Sequence, residues 1–304
     1  MKSKLLLFLA LLLITQSVAA YPISPRTLRK LLKESELVVW AKVVAIKEIE
    51  GKTYFDEAKA LLVVQEQLQG SVSQDTLAVH FSPGMICPAP ARYEEGTQVL
   101  AFLGKNKHGG GYYTHALSYG SKTLETEDYL VYKRRIIEMQ NIQLMDEGEA
   151  KNALLLDWFV NCATHPATRW EGTYELSALS DFMSFYDQDE EGVRKQYELL
   201  DYHKLALAEA LFATEDLSHE DMGLIDLIIH ESGEQVLNFL VGQLRKADLE
   251  KMWIREAIMG RIVYLTDRGD LRKIMEQLAE IDYFDKEHQE KSLALAREFV
   301  QKLG

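Results

Sequence analysis

Two cysteines, eight histidines and a large excess of carboxylates are the residues of this 304-residue chain that could do chemistry. A zinc peptidase needs two histidines one helical turn apart with a glutamate beside the first. The nearest approach is His230-Glu231-Ser232-Gly233-Glu234, where the second histidine is replaced by Glu234 and Gly233 interrupts the turn. His230 therefore reads as the C-terminal residue of a helix, where its charge also suits the dipole. The histidines at 80, 108, 115, 165, 203, 219, 230 and 288 do not cluster at ligand spacing. The run Asp187-Gln188-Asp189-Glu190-Glu191 lacks the glycine and the distal bidentate glutamate of a calcium loop, and reads as a solvated helix N-terminus. Gly109-Gly110-Gly111 has no following Lys-Ser/Thr and no helix behind it, so a flexible hairpin tip is the reading rather than a phosphate cradle. No GxSxG, Ser-x-x-Lys or GxGxxG pattern occurs. The expectation is no cofactor, no metal and no assigned catalytic residue; an enzyme is left open, less favoured than a non-enzyme.

The cysteines take their meaning from the start of the chain. MKSKLLLFLALLLITQSVAA has Lys2 and Lys4, an apolar run from Leu5 to Ile14, and Val18-Ala19-Ala20 before Tyr21. That is the form of an export signal over residues 1–20, and a run of about ten apolar residues is short of the roughly twenty that span a bilayer. The chain is expected to be secreted or periplasmic, with no integral membrane segment after cleavage. In an oxidising compartment a pair of cysteines is more often bonded than free, which predicts a Cys87–Cys162 disulfide. The loop it would close contributes on the order of 4 kcal/mol in the chain-entropy model.

Charge divides the chain. Residues 21–170 hold 17 Lys and Arg against 18 Asp and Glu, whereas residues 171–304 hold 15 against 29. This asymmetry predicts two domains and argues against nucleic acid as a partner; another exported protein, with a basic surface as the complementary case, fits better.

The elements that must position any site change character along the chain. Thr27 to Glu34 reads as a short amphipathic helix with Leu28, Leu31 and Leu32 on one face. Strands are predicted over 36–49, 53–70, 75–82, 97–104 and 112–120, with Glu50-Gly51-Lys52 as the first turn. Five short strands with a long first pair suggest a small closed antiparallel barrel. The runs SELVVWAKVVAI, ALLVVQEQLQG, EEGTQVLAFL and YYTHALSYG, with a Cys-Pro loop between the second and third, resemble the OB-fold domain of tissue inhibitors of metalloproteinases and their bacterial relatives. The resemblance covers residues 26–122. It implies protease inhibition, which in that family uses a mature N-terminal cysteine; here Tyr21-Pro22 stands at that place, and the first cysteine is Cys87.

After Glu125 the period is helical. Helices are predicted over 128–145, with Ile136, Ile137 and Met139 near the core stripe, and over 149–165. The polar stretch from Pro166 to Leu179 follows, in which Arg169, Trp170 and Glu171 are a candidate interaction patch, with packing at a helix-to-helix turn as the alternative. Further helices are predicted over 177–187, 190–213, 219–231, 233–246, 248–265, 269–281 and 284–303. Val236, Leu237, Leu240 and Val241 recur 38 residues later as Ile274, Met275, Leu278 and Ala279. The segment resembles a short array of HEAT-like repeats, and a helical bundle serves equally.

The fold class expected is therefore α+β in two domains. A signal occupies 1–20, an OB-like β-barrel 21–124, linking helices 125–176, and an acidic all-helical domain 177–304. The function expected is an exported, non-catalytic binding or scaffolding protein. Protease inhibition through the barrel rim is the alternative, and a hydrolase with an unrecognised carboxylate site the weakest one.

Overall fold

The computed structural model describes residues 24–53, 56–85, 89–106, 110–177, 197–251, 254–282 and 284–304. They form two compact units, the first over residues 24–144 and the second over 145–177 and 197–304.

The first unit opens with helix α1 (Leu28–Glu34), whose Leu28, Leu31 and Leu32 are buried as the spacing predicts. The strands are β1 (Leu37–Thr53), β2 (Asp56–Gln69), β3 (Thr76–Phe81), β4 (Gln98–Lys105), β5 (Tyr112–Thr114) and β6 (Ser121–Thr123). Their order β1-β2-β3-β5-β4 is closed by β1 pairing with β4, which makes a five-stranded OB-like barrel with β6 added outside β4. All these pairings are antiparallel except β3 with β5, where Val79 faces Tyr112 in parallel. Inside the barrel, Leu37, Val39, Ala41 and Val43 of β1 meet Val99, Ala101 and Leu103 of β4. Their outward neighbours Val38, Trp40, Leu100 and Phe102 are equally buried, which explains why these strands read as continuous apolar runs instead of alternating ones. Helix α2 (Thr126–Gln143) covers part of that outer face: Trp40 stacks on Tyr129 with ring centroids 4.2 Å apart. Tyr129 Oη donates to Glu66 Oε2, Lys133 Nζ lies 2.5 Å from Glu66 Oε1, and Gln140 Nε2 donates to the Leu68 carbonyl.

Three local expectations are corrected in this unit. β1 runs through Gly51, which takes φ +70° at an irregularity in the ladder, and Thr53 pairs with Asp56; the chain reversal therefore lies later than Glu50-Gly51-Lys52. The expected fifth strand stops at Thr114, because Ala116 and Leu117 adopt left-handed φ of 52° and lead into a 3-10 turn (Leu117–Gly120) before β6. In α2 the buried stripe is Tyr129, Tyr132, Ile136, Met139 and Ile142, whereas Ile137 is 46% exposed and faces away.

The second unit is all helical: α3 (Glu149–Thr164), α4 (Arg169–Leu176), α5 (Asp201–Phe212), α6 (Asp221–Ile228), α7 (Gly233–Lys246), α8 (Arg255–Thr266), α9 (Gly269–Glu280) and α10 (His288–Lys302). Helix α4 occupies part of the stretch expected to be a polar connection. The helix expected from 190 begins at Asp201 in the described residues, that from 248 at Arg255 and that from 284 at His288. Consecutive helices pack as α3 on α4, α5 on α6, α7 on α8 and α9 on α10. One apolar core runs through them, from Val160 and Ala163 of α3 through Leu207, Ile225, Leu240 and Ile262 to Phe299 of α10. Glycines set the closest crossings. A Cβ on Gly172 of α4 would lie 2.2 Å from the Ala163 nitrogen and 2.3 Å from the Phe159 carbonyl oxygen. One on Gly223 of α6 would lie 2.6 Å from Thr173 Cβ.

Candidate functional site

The most concentrated polar chemistry of the helical unit lies where α3 ends, α4 begins and the α5–α6 connection crosses them. Pro166 cannot continue α3, and the chain makes a 3-10 turn (Pro166–Thr168) whose first amide, on Ala167, donates to His165 Nδ1 at 3.2 Å. Thr168 Oγ1 ties the turn back to the Cys162 carbonyl at 2.9 Å. This turn delivers Arg169, at the start of α4, into the interior with 5% of its surface exposed.

There Arg169 Nη1 donates to Asp221 Oδ1, and to Thr214 Oγ1 at 3.2 Å, while Nε donates to the Ala163 carbonyl at 3.3 Å. Asp221, 1% exposed, is fixed from its other side: its Oδ2 accepts the Ser218 amide at 2.6 Å and the Ser218 hydroxyl at 2.8 Å. The buried carboxylate thus has a cation and two neutral donors, the satisfaction that a buried ion pair requires. Arg169 and Asp221 line a cleft of about 390 Å³ together with Thr164, Pro166, Glu215, Asp216 and Glu220. Glu220 is exposed as a residue, yet desolvation at its carboxyl and then the charge of Asp221 hold that carboxyl above the usual range, against the opposing pull of His219 and Arg169.

Of the candidate patch, Arg169 sits in this ion pair, Glu171 is 1% exposed, and Trp170 is half-buried with its ring 5.2 Å from that of Tyr174. The partner that the sequence reading overlooked is Asp221, with Ser218 and Thr214. Its signal was present as Ser218-His219-Glu220-Asp221, the Ser-x-x-Asp pattern of a helix start, where a carboxylate can also serve a second purpose.

Other polar groups have structural employment. His203 accepts the Leu200 amide on Nδ1 at 3.3 Å and reaches Asp157 Oδ1 with Nε2 at 2.7 Å, so both ring nitrogens are used in starting α5. Ser292 receives Arg255 Nη2 at 2.8 Å and donates to Glu256 Oε1 at 2.6 Å, clamping α10 to α8. His230 lies just past the end of α6, 3.4 Å from the Tyr264 hydroxyl, and Glu231 pairs with Lys204 at 2.6 Å. Gly233 does not interrupt a turn there; it starts α7. Among the described residues no three His, Cys, Asp or Glu side chains converge as metal ligands, and no helix is long and apolar enough to cross a membrane.

Cys162 is fully buried in α3, and Cys87 lies outside the described residues, as do residues 1–20, Asp187 to Glu191 and all but Ser177 of the helix expected over 177–187. The Cys87–Cys162 bond remains an expectation. No protein-family model matches the chain, and no curated protein matches it.

Proposed function

We propose that the protein is an exported, non-catalytic binding module that engages another exported protein through its acidic helical unit. The observation that carries this reading is the cleft between α4 and the α5–α6 connection. It is concave, lined by a buried ion pair whose carboxylate also accepts from Ser218, and lined by further carboxylates on the half of the chain that holds the net charge of −14. A basic protein surface is the complementary partner, and electrostatic attraction would govern its association rate. The packing of α5 to α10 in consecutive pairs is in keeping with HEAT-like repeats, which present extended binding surfaces.

The second reading is protease inhibition, and the barrel favours it through its strand order, which agrees with the resemblance to the OB-fold domain of metalloproteinase inhibitors. The two readings part experimentally. The purified protein is used to capture exported proteins, and the complex is mapped by amide hydrogen exchange. Protection in residues 197–304 supports the binding module. Protection confined to residues 24–144, together with loss of activity of a captured protease, replaces it with the inhibitor.

A further inference from the structure

The binding reading leaves open where the helical unit offers apolar surface to a partner. Six large apolar side chains stand exposed among the described residues of this unit. Four of them, Leu154, Leu200, Tyr202 and Leu205, between 45% and 60% exposed, gather where α5 packs on α3. Their placement follows from the helices. Tyr202 Oη donates to Asp157 Oδ1 of α3 at 2.9 Å, and Leu154 lies one turn before Asp157. Leu200 is the N-cap of α5, and Leu205 lies one turn after Tyr202. Single exposed apolar residues are normal on any surface, whereas four drawn together across two helices mark a place of contact. The aromatic among them is held in advance. Its hydroxyl is tied to Asp157, and its ring centre lies 4.0 Å from that of His203, which reaches the same carboxylate at 2.7 Å. A tyrosine fixed in this way loses little side-chain freedom on binding.

Charge names the occupant. Asp201 and Glu209 lie four residues before and four after Leu205, which places all three on one face of α5. Both are exposed, and neither carboxylate makes a hydrogen bond or ion pair among the described residues. Lys204, the cation of the same helix, is held by Glu231 at 2.6 Å. We infer that this face of α3 and α5 receives a basic amphipathic segment of the exported partner. Its apolar side chains rest on Leu154, Leu200, Tyr202 and Leu205, and its lysines or arginines meet Asp201 and Glu209. This rests on the binding reading above and names the surface and the partner chemistry it selects. Apolar burial holds the segment, and the bracketing carboxylates choose its sign.

The test titrates the purified protein with acetyl-Leu-Lys-Lys-Leu-Leu-Lys-Lys-Leu-amide in a calorimeter. The same peptide with glutamate for lysine is the acidic control, and with glycine for leucine the basic control without apolar side chains. The expected result is saturable binding of the first peptide, at least about tenfold weaker for both controls, for Leu205→Ser and for Asp201→Asn/Glu209→Gln. Phe284→Ser, which removes an exposed apolar side chain from the connection between α9 and α10, should leave the affinity unchanged. All these substitutions are at exposed positions, so the circular dichroism spectrum should match the parent. Equal affinity for either control peptide, no loss with Leu205→Ser, or an equal loss with Phe284→Ser overturns the inference. Capture of an exported partner undiminished by Leu205→Ser would also overturn this surface while leaving the binding reading standing. A parent chain that captures no exported protein while the peptide results hold would do the reverse.

Discussion

Replacing Gly172 by alanine is the perturbation that most sharply tests how the helical unit holds its site. The added Cβ would lie 2.2 Å from the Ala163 nitrogen, 2.3 Å from the Phe159 carbonyl oxygen and 2.8 Å from Ala163 Cα. Ordinary contact begins near 3.4 Å, so α3 and α4 must part by about 1.2 Å. The obstructing atoms are backbone and cannot rotate aside, which places the cost at the upper end of the about 1–3 kcal/mol typical of overpacking. Alanine recovers about 1 kcal/mol of helix propensity over glycine. The net expectation is a loss of about 2 kcal/mol, or a fall in melting temperature of roughly 4–8 °C for a unit of this size. Gly242→Ala in α7 is the matched comparison, because its Cβ would meet nothing within 4 Å. It should stabilise by about 0.5–1 kcal/mol. Both variants can be measured by urea unfolding followed by circular dichroism. If Gly172→Ala stabilises to the same degree as Gly242→Ala, the close crossing of α3 and α4 is refuted, and with it the placement of Arg169.

Asp221→Asn removes one charge of a buried pair and should cost about 3–5 kcal/mol in urea unfolding; the Arg169→Met/Asp221→Leu double variant should cost less than the two single changes combined. Ser292→Ala leaves Arg255 Nη2 without its buried hydroxyl, and should destabilise by about 1–3 kcal/mol in the same urea unfolding assay. Glu66 titrates below the usual carboxylate range because Lys133 and then Tyr129 donate to it. Its contribution is present above the unfolded value and lost as pH falls through the lower folded one, so Glu66→Gln should destabilise at neutral pH and match the parent in acid. Glu220 has the opposite sign. The folded protein holds that proton more tightly, so stability falls as pH rises through the raised value, and Glu220→Gln should be the more stable protein at neutral pH, with the difference vanishing on acidification.

The barrel was largely legible from the chain because its strands are rich in β-branched residues and its first pair is long. β3 and β4 fall within a residue of their expected limits. What escaped was conformation set by tertiary contact. Ala116 and Leu117 carry no sequence mark of left-handed geometry, yet the return of the chain to β6 demands it. Ile136 and Ile137 are adjacent apolar residues of which only one can face the barrel, and the choice follows from Trp40 stacking on Tyr129. In the helical unit, Arg-Trp-Glu-Gly-Thr-Tyr-Glu read as a polar connection because its charge hides a helix that buries Arg169 and Glu171. The candidate site was half visible for the same reason. Arg169 could be singled out locally, but its partner Asp221 lies 52 residues away, at the start of another helix.

Recognition of a protein partner by the acidic helical unit can be measured by hydrogen exchange on a complex captured from exported proteins. A binding module should show slowed exchange around Thr214 to Asp221 and elsewhere within residues 197–304, a captured protein with a basic surface, and no cleavage of that protein on prolonged incubation. Protection restricted to residues 24–144, or turnover of the captured protein that an Asp221→Asn variant abolishes, would contradict it.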